Sequence, residues 1–276
     1  MSAQAGRLLI WCLAAAACLG GWLLTTPKPV FGPNDIGSSP GDPQLGRLVF
    51  LASSCGSCHA TPGQPDSLVL GGGLALSSSF GVFRPPNISP DIADGIGSWS
   101  VEDFANALVA GISPDGRTLP PVSGKAPPHD LWPPFRLRRA VGVWKLLFFD
   151  EVGKPQAIIG DPVLDRGSYL TETLAHCAEC HSSRNIFAAI RPETRFAGGP
   201  DAEGTGFVPN ITPARLSGWT QTDISTMLAT GQTPQDGHVG SAMVDVVANL
   251  SQLPQEDRDA IARYIKALPA RQTPHP

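Results

Sequence analysis

Charge is scarce in this sequence, and no long basic run occurs. Charged residues occupy 16% of the 276 positions, and the formal net charge is -4. Proteins that bind nucleic acid concentrate Lys and Arg in a patch or stripe, which this chain does not do. The composition therefore excludes nucleic acid as a partner.

Cysteine and methionine are also scarce, and their positions are informative. Of the six cysteines, Cys12 and Cys18 lie in an apolar N-terminal stretch, and the other four lie in two short motifs. No thiol is left for a disulfide in the globular part of the chain. The methionines are Met1, Met227 and Met243.

The two short motifs read CGSCH at 55–59 and CAECH at 177–181. Such a motif marks the attachment of a c-type haem, because two thiols add to the porphyrin vinyl groups and the adjacent imidazole reaches the iron. Two motifs predict two covalently attached haem c groups. The predicted attachment residues and iron ligands are Cys55, Cys58, His59, Cys177, Cys180 and His181.

A second repeat follows each motif. The segment PNISP at 86–90 begins 27 positions after His59, and PNITP at 209–213 begins 28 positions after His181. This agreement indicates that the two halves of the chain share one plan.

Each half then predicts a helix that opens with a capping box. Ser100 and Thr220 are each followed three residues later by Asp, which is the form of that motif. The helices are predicted to end near Gly111 and Gly231.

The halves differ after these glycines. The second half runs 37 positions from Gly231 to Leu268 and includes an amphipathic predicted helix at 257–268. The first half runs only 8 positions from Gly111 to Leu119, which is 29 fewer. We infer that the first half lacks both its ligand loop and its closing helix.

Residues 8–24 form a targeting segment. They are 17 uncharged residues that follow Arg7, near the lower length limit for crossing a bilayer. A cleaved signal peptide, an uncleaved anchor and lipidation at Cys18 all remain open. Each places the rest of the chain on the periplasmic side of the bacterial inner membrane, either anchored or secreted.

Together the motifs resemble the di- and tri-haem cytochrome c subunits of bacterial alcohol, gluconate and aldehyde dehydrogenases. The resemblance covers most of the chain and implies a role in electron transfer. It also implies that the carbonyls of Pro86 and Pro209 accept hydrogen bonds from the haem-ligating imidazoles. Besides the paired haem motifs and the two PNI segments, it rests on LGGG at 70–73, GIGSW at 95–99, SPDGR at 113–117, APPHDL at 126–131 and WKLLFF at 144–149.

We therefore expect an all-α fold with two tandem, class I-like cytochrome c domains, the first of them truncated. The predicted organisation is a signal peptide or N-terminal membrane anchor at 1–26, a flexible tether at 27–43, the first domain at 44–121, a Pro-rich linker with a connecting helix at 122–160, and the second domain at 161–272.

The sixth ligands are predicted unequally. A six-coordinate c haem usually takes Met opposite His, and Met243 follows His181 by 62 positions, in a predicted Gly/Ser loop before the final helix. Met243 is therefore the predicted sixth ligand of the second haem, whereas Met227 is interpreted as core. The first half has no methionine of its own, which leaves its sixth position to His129, to water or to a residue of the second domain.

The expected function is to carry single electrons between a periplasmic or membrane-bound dehydrogenase and the respiratory chain. The acceptor would be quinone, an oxidase or another cytochrome. Two alternatives remain open: a di-haem peroxidase or small-molecule oxidoreductase with an open first haem, and a one-haem carrier with a degenerate first domain. No catalytic residue is predicted, because no acid/base pair stands at recognisable spacing near His59.

Overall fold

The computed structural model describes residues 3–37, 40–114, 127–137, 139–149, 160–201, 206–234 and 236–274. The predicted end of the first domain, with Leu119, and parts of the predicted linker lie outside the described residues. The α-helices within the described ranges are α1 (Ala3–Leu24), α2 (Pro43–Ala52), α3 (Cys55–His59), α4 (Val101–Ala110), α5 (Arg139–Phe148), α6 (Pro162–Ser168), α7 (Gln221–Thr230), α8 (Met243–Leu250) and α9 (Gln255–Ala267).

The predicted helix boundaries are confirmed where capping chemistry marks them. The Ser100 hydroxyl accepts from the Asp103 backbone and the Asp103 carboxylate accepts from the Ser100 backbone, and the same box opens α7 at Thr220. Both helices end at a left-handed glycine, Gly111 with φ 60° and Gly231 with φ 77°. Glycine reaches this conformation without the Cβ clash that other residues meet.

A single core cluster joins the two halves of the chain. The helix α9 packs across α6 and α7, and the end of α2 joins the same cluster. Burying these apolar side chains is the main favourable contribution to folding of this region. The buried members are Leu51, Ala52, Leu170, Leu174, Ile224, Leu228, Leu250, Leu253, Ile261, Ala262 and Ile265.

Two small antiparallel sheets, which the all-α expectation did not include, accompany the helices. One contains β1 (Leu76–Ser78), β2 (Gly81–Phe83) and β3 (Asp130–Leu131), with Leu76 opposite Phe83. The other pairs β4 (Gly199–Pro200) with β5 (Phe207–Val208). Strands of two or three residues are too short to show the alternating pattern by which a sequence reveals a strand.

Two predicted segments differ in the structure. The connecting helix predicted within residues 122–160 is divided into a 3-10 turn, Pro133–Arg136, and α5, and the backbone of Leu137 after the turn is extended, with φ -76° and ψ 93°. Met243, expected in a loop, is the first residue of α8. The predicted helix at 257–268 is confirmed as α9, which begins two residues earlier than predicted and ends one residue earlier.

The N-terminal helix α1 is exposed along its length. Residues Gln4–Leu24 are long and apolar enough to cross a membrane, a property that a signal sequence shares. Its C-terminal end contacts α5: the Arg139 guanidinium carbon lies 3.6 Å from the centroid of the Trp22 ring. Arg139 also donates hydrogen bonds to the Trp22 carbonyl at 3.2 Å and to the Thr26 hydroxyl at 3.1 Å.

Candidate haem-attachment sites

Each Cys-X-X-Cys-His motif begins directly after a residue in the left-handed backbone region. Ser54 has φ 49° before Cys55, and His176 has φ 38° before Cys177. This conformation ends the preceding helix and starts a separate turn, which is α3 in the first half and the 3-10 turn Cys177–Glu179 in the second. The motif residues therefore project from an independent turn in both halves.

The imidazoles predicted to ligate iron are each oriented by a proline carbonyl, as the resemblance implied. The Nδ1 atom of His59 lies 2.8 Å from the Pro86 carbonyl oxygen, and Nδ1 of His181 lies 2.7 Å from that of Pro209. A carbonyl oxygen only accepts, so Nδ1 carries the proton in both rings. The opposite nitrogen, Nε2, is left with the lone pair that an iron ion binds.

Burial keeps both imidazoles neutral. It lowers the pKa of His59 and of His181, and this effect exceeds the opposite effect of the hydrogen bonds to the carbonyls of Pro86 and Pro209. A neutral ring is the form that ligates a metal. The two histidines are thus prepared for iron in the same manner.

The four motif thiols do not form disulfides, and their environment disfavours the thiolate. Burial raises the pKa of Cys177 to about 12 and raises the pKa of the other three thiols as well. Within the described part of the chain, no group of three or more His, Cys, Asp or Glu side chains is placed to hold a metal ion. Two free thiols in each motif match the two thioether bonds by which a c-type haem is attached.

The loops around the two imidazoles are held by matching hydrogen bonds. The Gly72 amide donates to the His59 carbonyl and the Gly198 amide to the His181 carbonyl, both at 2.8 Å. A Cβ added to Gly72 would lie 2.4 Å from the Pro85 carbonyl oxygen, so the loop passes the proline segment without room for a side chain. Gly72 of the LGGG segment thus allows the close approach of this loop to Pro85 and Pro86, which positions the Pro86 carbonyl.

The two motifs lie near each other in space, which the sequence did not indicate. Asn249 of α8 donates a hydrogen bond from Nδ2 to the Ser57 hydroxyl at 3.2 Å, across 192 positions of the chain. Burial is the main cause that raises the pKa of the Cys180 thiol, and Cys58 lies near enough to contribute a smaller electrostatic effect in the same direction. The helix α8 therefore connects the second half to the first attachment motif.

The candidates for sixth ligands occupy different environments. Met243 is half-buried at the start of α8 and packs, with Met227, against the core cluster. His129 is half-buried rather than an ordinary surface residue: its Nδ1 accepts from the Arg84 amide at 2.9 Å, and its ring meets Phe83 edge to face at 5.8 Å. These two interactions attach His129, the residue before β3, to Phe83 at the end of β2 and to Arg84 directly after it.

A mainly helical protein with covalent haem motifs and neutral, carbonyl-bound imidazoles is a c-type cytochrome. The chain is 41% identical to "Diheme cytochrome c-type" of Cereibacter sphaeroides, over 98% of both chains. It belongs to the family of di-haem c-type cytochromes and carries two covalently attached haem c groups. No protein-family model matches the chain.

Further relatives are longer proteins. The fructose dehydrogenase cytochrome subunit of Gluconobacter japonicus is 32% identical over 82% of this chain and 52% of its own length. The cytochrome c subunit of the alcohol dehydrogenase (quinone) of Gluconobacter oxydans is 31% identical over 82% of this chain and 54% of its own. This chain thus spans about half the length of those two subunits.

Proposed function

We propose that this protein carries single electrons between a periplasmic or membrane-bound dehydrogenase and the respiratory chain. The observation that carries the proposal is the paired arrangement of His59 and His181, each neutral and hydrogen-bonded through Nδ1 to a proline carbonyl. Imidazoles held in this way suit permanent iron ligation rather than proton transfer to a substrate. The names of the dehydrogenase subunits among the relatives support the kind of donor.

When bound, each haem would supply an iron that can take up and release one electron. Cys55 and Cys58 would attach the first group, Cys177 and Cys180 would attach the second, and His59 and His181 would be the iron ligands. The carbonyls of Pro86 and Pro209 keep Nδ1 protonated and raise the basicity of the ligating nitrogen. The protein itself transforms no substrate in this proposal.

We assign Met243 as the sixth ligand of the second haem. Its thioether is half-buried at the N-terminal end of α8, after a loop that includes Ser241 in the left-handed region at φ 52°. Met227 packs against the core from within α7, where filling space is the usual role of methionine. A thioether ligand raises the reduction potential of a haem relative to a second imidazole.

The two halves are proposed to be tandem cytochrome domains, with the first truncated. Matching hydrogen bonds support the duplication, including Ile88 N to Leu70 O and Ile211 N to Phe196 O, both at 3.0 Å. The alignment with the Cereibacter sphaeroides relative spans 302 positions whereas this chain has 276 residues, so the relative has at least 26 residues that this chain lacks. This excess supports the 29-residue shortfall counted between the halves.

The proximity of the motifs supports electron exchange between the two haems within one chain. The contact from Asn249 to Ser57 holds α8 against the first motif, and α8 begins at the proposed ligand of the second haem. An electron accepted at one site would reach the other without leaving the protein. We propose that α1 retains the protein at the periplasmic face of the inner membrane.

The experiment is a reductive titration of the purified full-length haemoprotein combined with haem quantification. The proposal expects two haems and two single-electron reductions per chain, with no turnover of hydrogen peroxide. Peroxide turnover that depends on His59 would establish the enzyme alternative. A haem content of one per chain, with both cysteines of the first motif unmodified by mass spectrometry, would establish the one-haem alternative.

A further inference from the structure

In the second half, the closing helix α9 covers the core-facing sides of α6 and α7. In the second half it buries Ile224 and Leu228 of α7 to 1% and 3% exposure. It also approaches α6 so closely that a Cβ on Gly167 would lie 2.1 Å from the Ala260 carbonyl oxygen. Helix α9 thus places a small residue, Ala260, against Gly167 of α6, and it places aliphatic residues against α7.

The equivalent face of the first half is bare. Phe104 and Leu108 stand at the positions of Ile224 and Leu228, counted from the two capping boxes, and they are 44% and 70% exposed. Haem does not explain this difference, because Ile224 and Leu228 are buried by protein alone. Among the described residues, no helix covers this face of α4.

A glycine marks the same missing contact on α2. Gly46 lies nine positions before Cys55, and Gly167 lies ten positions before Cys177, with the extra residue accommodated in the π-helical segment Tyr169–Leu174. A Cβ added to Gly46 would meet nothing within 4 Å. The surface of α2 at Gly46 could therefore accept a closely packed helix, and it is uncovered.

The opposite face of α4 is the covered one. Asn106 and Ala110 are buried, the Asn106 side chain accepts from the Val30 amide at 2.7 Å, and Lys145 of α5 donates to the Ala110 carbonyl at 2.5 Å. In α7 the equivalent positions, Thr226 and Thr230, are exposed. The tether and α5 thus occupy a different face and leave the position of a closing helix free.

Polar groups beside the bare face indicate a basic partner. In the second half, Arg263 of α9 pairs with the N-cap carboxylate of Asp161 at 2.6 Å, and Lys266 donates to the Trp219 carbonyl at 2.8 Å. The first half repeats both acceptors: Asp42 is the exposed N-cap of α2, and Trp99 occupies the position of Trp219. A helix seated there would place Lys or Arg against both acceptors.

We propose that a basic amphipathic helix of a partner protein docks on this face and completes the first half in trans. The inference rests on the proposed truncation of that half. We name a set of equivalent positions the open seat: Leu45, Gly46 and Val49 of α2 together with Phe104 and Leu108 of α4, which correspond to positions of the two helices that α9 crosses in the second half. The matching helix carries a small residue against Gly46, aliphatic residues against Phe104 and Leu108, and a Lys or Arg near its C-terminal end.

Other occupants are disfavoured by the chain itself. The sequences at 115–126 and 150–159 contain Pro and Gly and have no apolar stripe at helical spacing. Among the described helices, α9 has the matching stripe, and Ile261 and Ile265 of that stripe are already buried in its own half. A second copy could supply this helix only by unfolding its second half.

The open seat can be tested with a synthetic helix of known fit. The probe is a peptide of residues 254–269 with a hydrocarbon staple between positions 255 and 259, both exposed in α9, so that it stays helical. Isothermal titration calorimetry with the full-length holoprotein is expected to show saturable 1:1 binding. The variants Gly46→Leu and Leu108→Glu are each expected to weaken binding at least tenfold.

Two controls establish where the peptide binds. Ile92→Glu introduces the same charge at another exposed apolar residue of the first half and should leave the affinity unchanged. A peptide with Glu in place of Ile261 and Ile265 should not bind. Failure of the stapled peptide to saturate, or equal affinity for the Leu108→Glu variant, would overturn the proposal.

The oligomeric state and the haem content of the variants separate this proposal from occupancy by a second copy and from the electron-transfer proposal. If the holoprotein is a dimer that the Leu108→Glu change dissociates, a second copy occupies the open seat and the partner helix is wrong. Haem quantification of each variant tests the electron-transfer proposal independently, because peptide binding does not require both haems to be redox-active.

Discussion

At the scale of single residues, the haem sites are prepared by backbone carbonyls. His59 and His181 lie in different local turns, yet each donates its Nδ1 proton to a proline carbonyl at nearly the same distance. The bond selects the tautomer and the ring orientation before iron is bound. The two sites share this hydrogen bond, and the difference that we propose between them is the presence of a methionine ligand, Met243, at the second haem alone.

Replacing Met243 by Ala tests that difference. We expect loss of the methionine-to-iron absorption band and a lower reduction potential for one of the two haems, because the thioether favours ferrous iron. Met227→Ala is the control and should keep both the band and the potential. A band that persists in Met243→Ala would contradict the assignment of Met243.

The ion pair of Arg166 with Asp257 predicts a second residue-scale effect. Two parallel hydrogen bonds of 2.7 and 2.8 Å join α6 to the first turn of α9, and the Asp257 side chain is 12% exposed. We expect Asp257→Ala to lower the free energy of unfolding by about 1–3 kcal/mol. The lower part of this range applies because the Arg166 side chain is 39% exposed and its charge is partly screened.

A surface pair provides the control for this measurement. Arg136 and Asp130 lie 3.7 Å apart with side chains 66% and 78% exposed. Asp130→Ala should change the free energy of unfolding by less than about 0.5 kcal/mol. Urea denaturation of both holoprotein variants would measure the difference, and equal losses would contradict the role given to Asp257.

At the scale of elements, a pair of equivalent glycines distinguishes the halves. Gly167→Ala places a Cβ against the Ala260 carbonyl and should lower the free energy of unfolding by about 3 kcal/mol, because α6 and α9 must separate. Gly46→Ala adds the same methyl group to an open helix surface and should raise stability by about 0.5–1 kcal/mol. Thermal unfolding of the two variants would show shifts of opposite sign, and matching losses would contradict the absence of a closing helix over α2.

The elements also show where sequence reasoning succeeds. The caps of α4 and α7 were predictable because a capping box is completed within four residues. The helix α9 was predictable from its apolar stripe. The start of α8 at Met243 was missed because Ala242, its N-cap, makes no side-chain cap and the preceding loop is rich in Gly and Ser.

At the scale of the whole molecule, the main question is whether α1 is cleaved or retained in the mature protein. Arg139 stacks on Trp22 and donates to its carbonyl, so the C-terminal end of α1 is attached to α5. We expect the helix to remain uncleaved in the mature protein, with Trp22 near the membrane interface. Intact-mass measurement of protein from membranes should give the full chain plus two haems. A mature chain that begins between Ala15 and Thr26 would show that the segment is a signal peptide.

The sequence by itself determined the covalent chemistry of this protein. The predicted attachment cysteines and ligand histidines form two five-residue motifs, and each helix cap is completed within four residues, so the order of residues along the chain is enough to predict them. The 29-residue difference between the halves was likewise readable from spacing alone.

Only the tertiary structure decided which surfaces are covered. Phe104 and Ile224 stand at equivalent positions of similar helices, and their burial differs because α9 crosses one helix and no described helix of this chain crosses the same face of the other. The approach of Asn249 to Ser57 likewise depends on packing between segments 192 positions apart. Burial and long-range contact are properties of the assembled chain, since each requires a neighbour that local sequence does not contain.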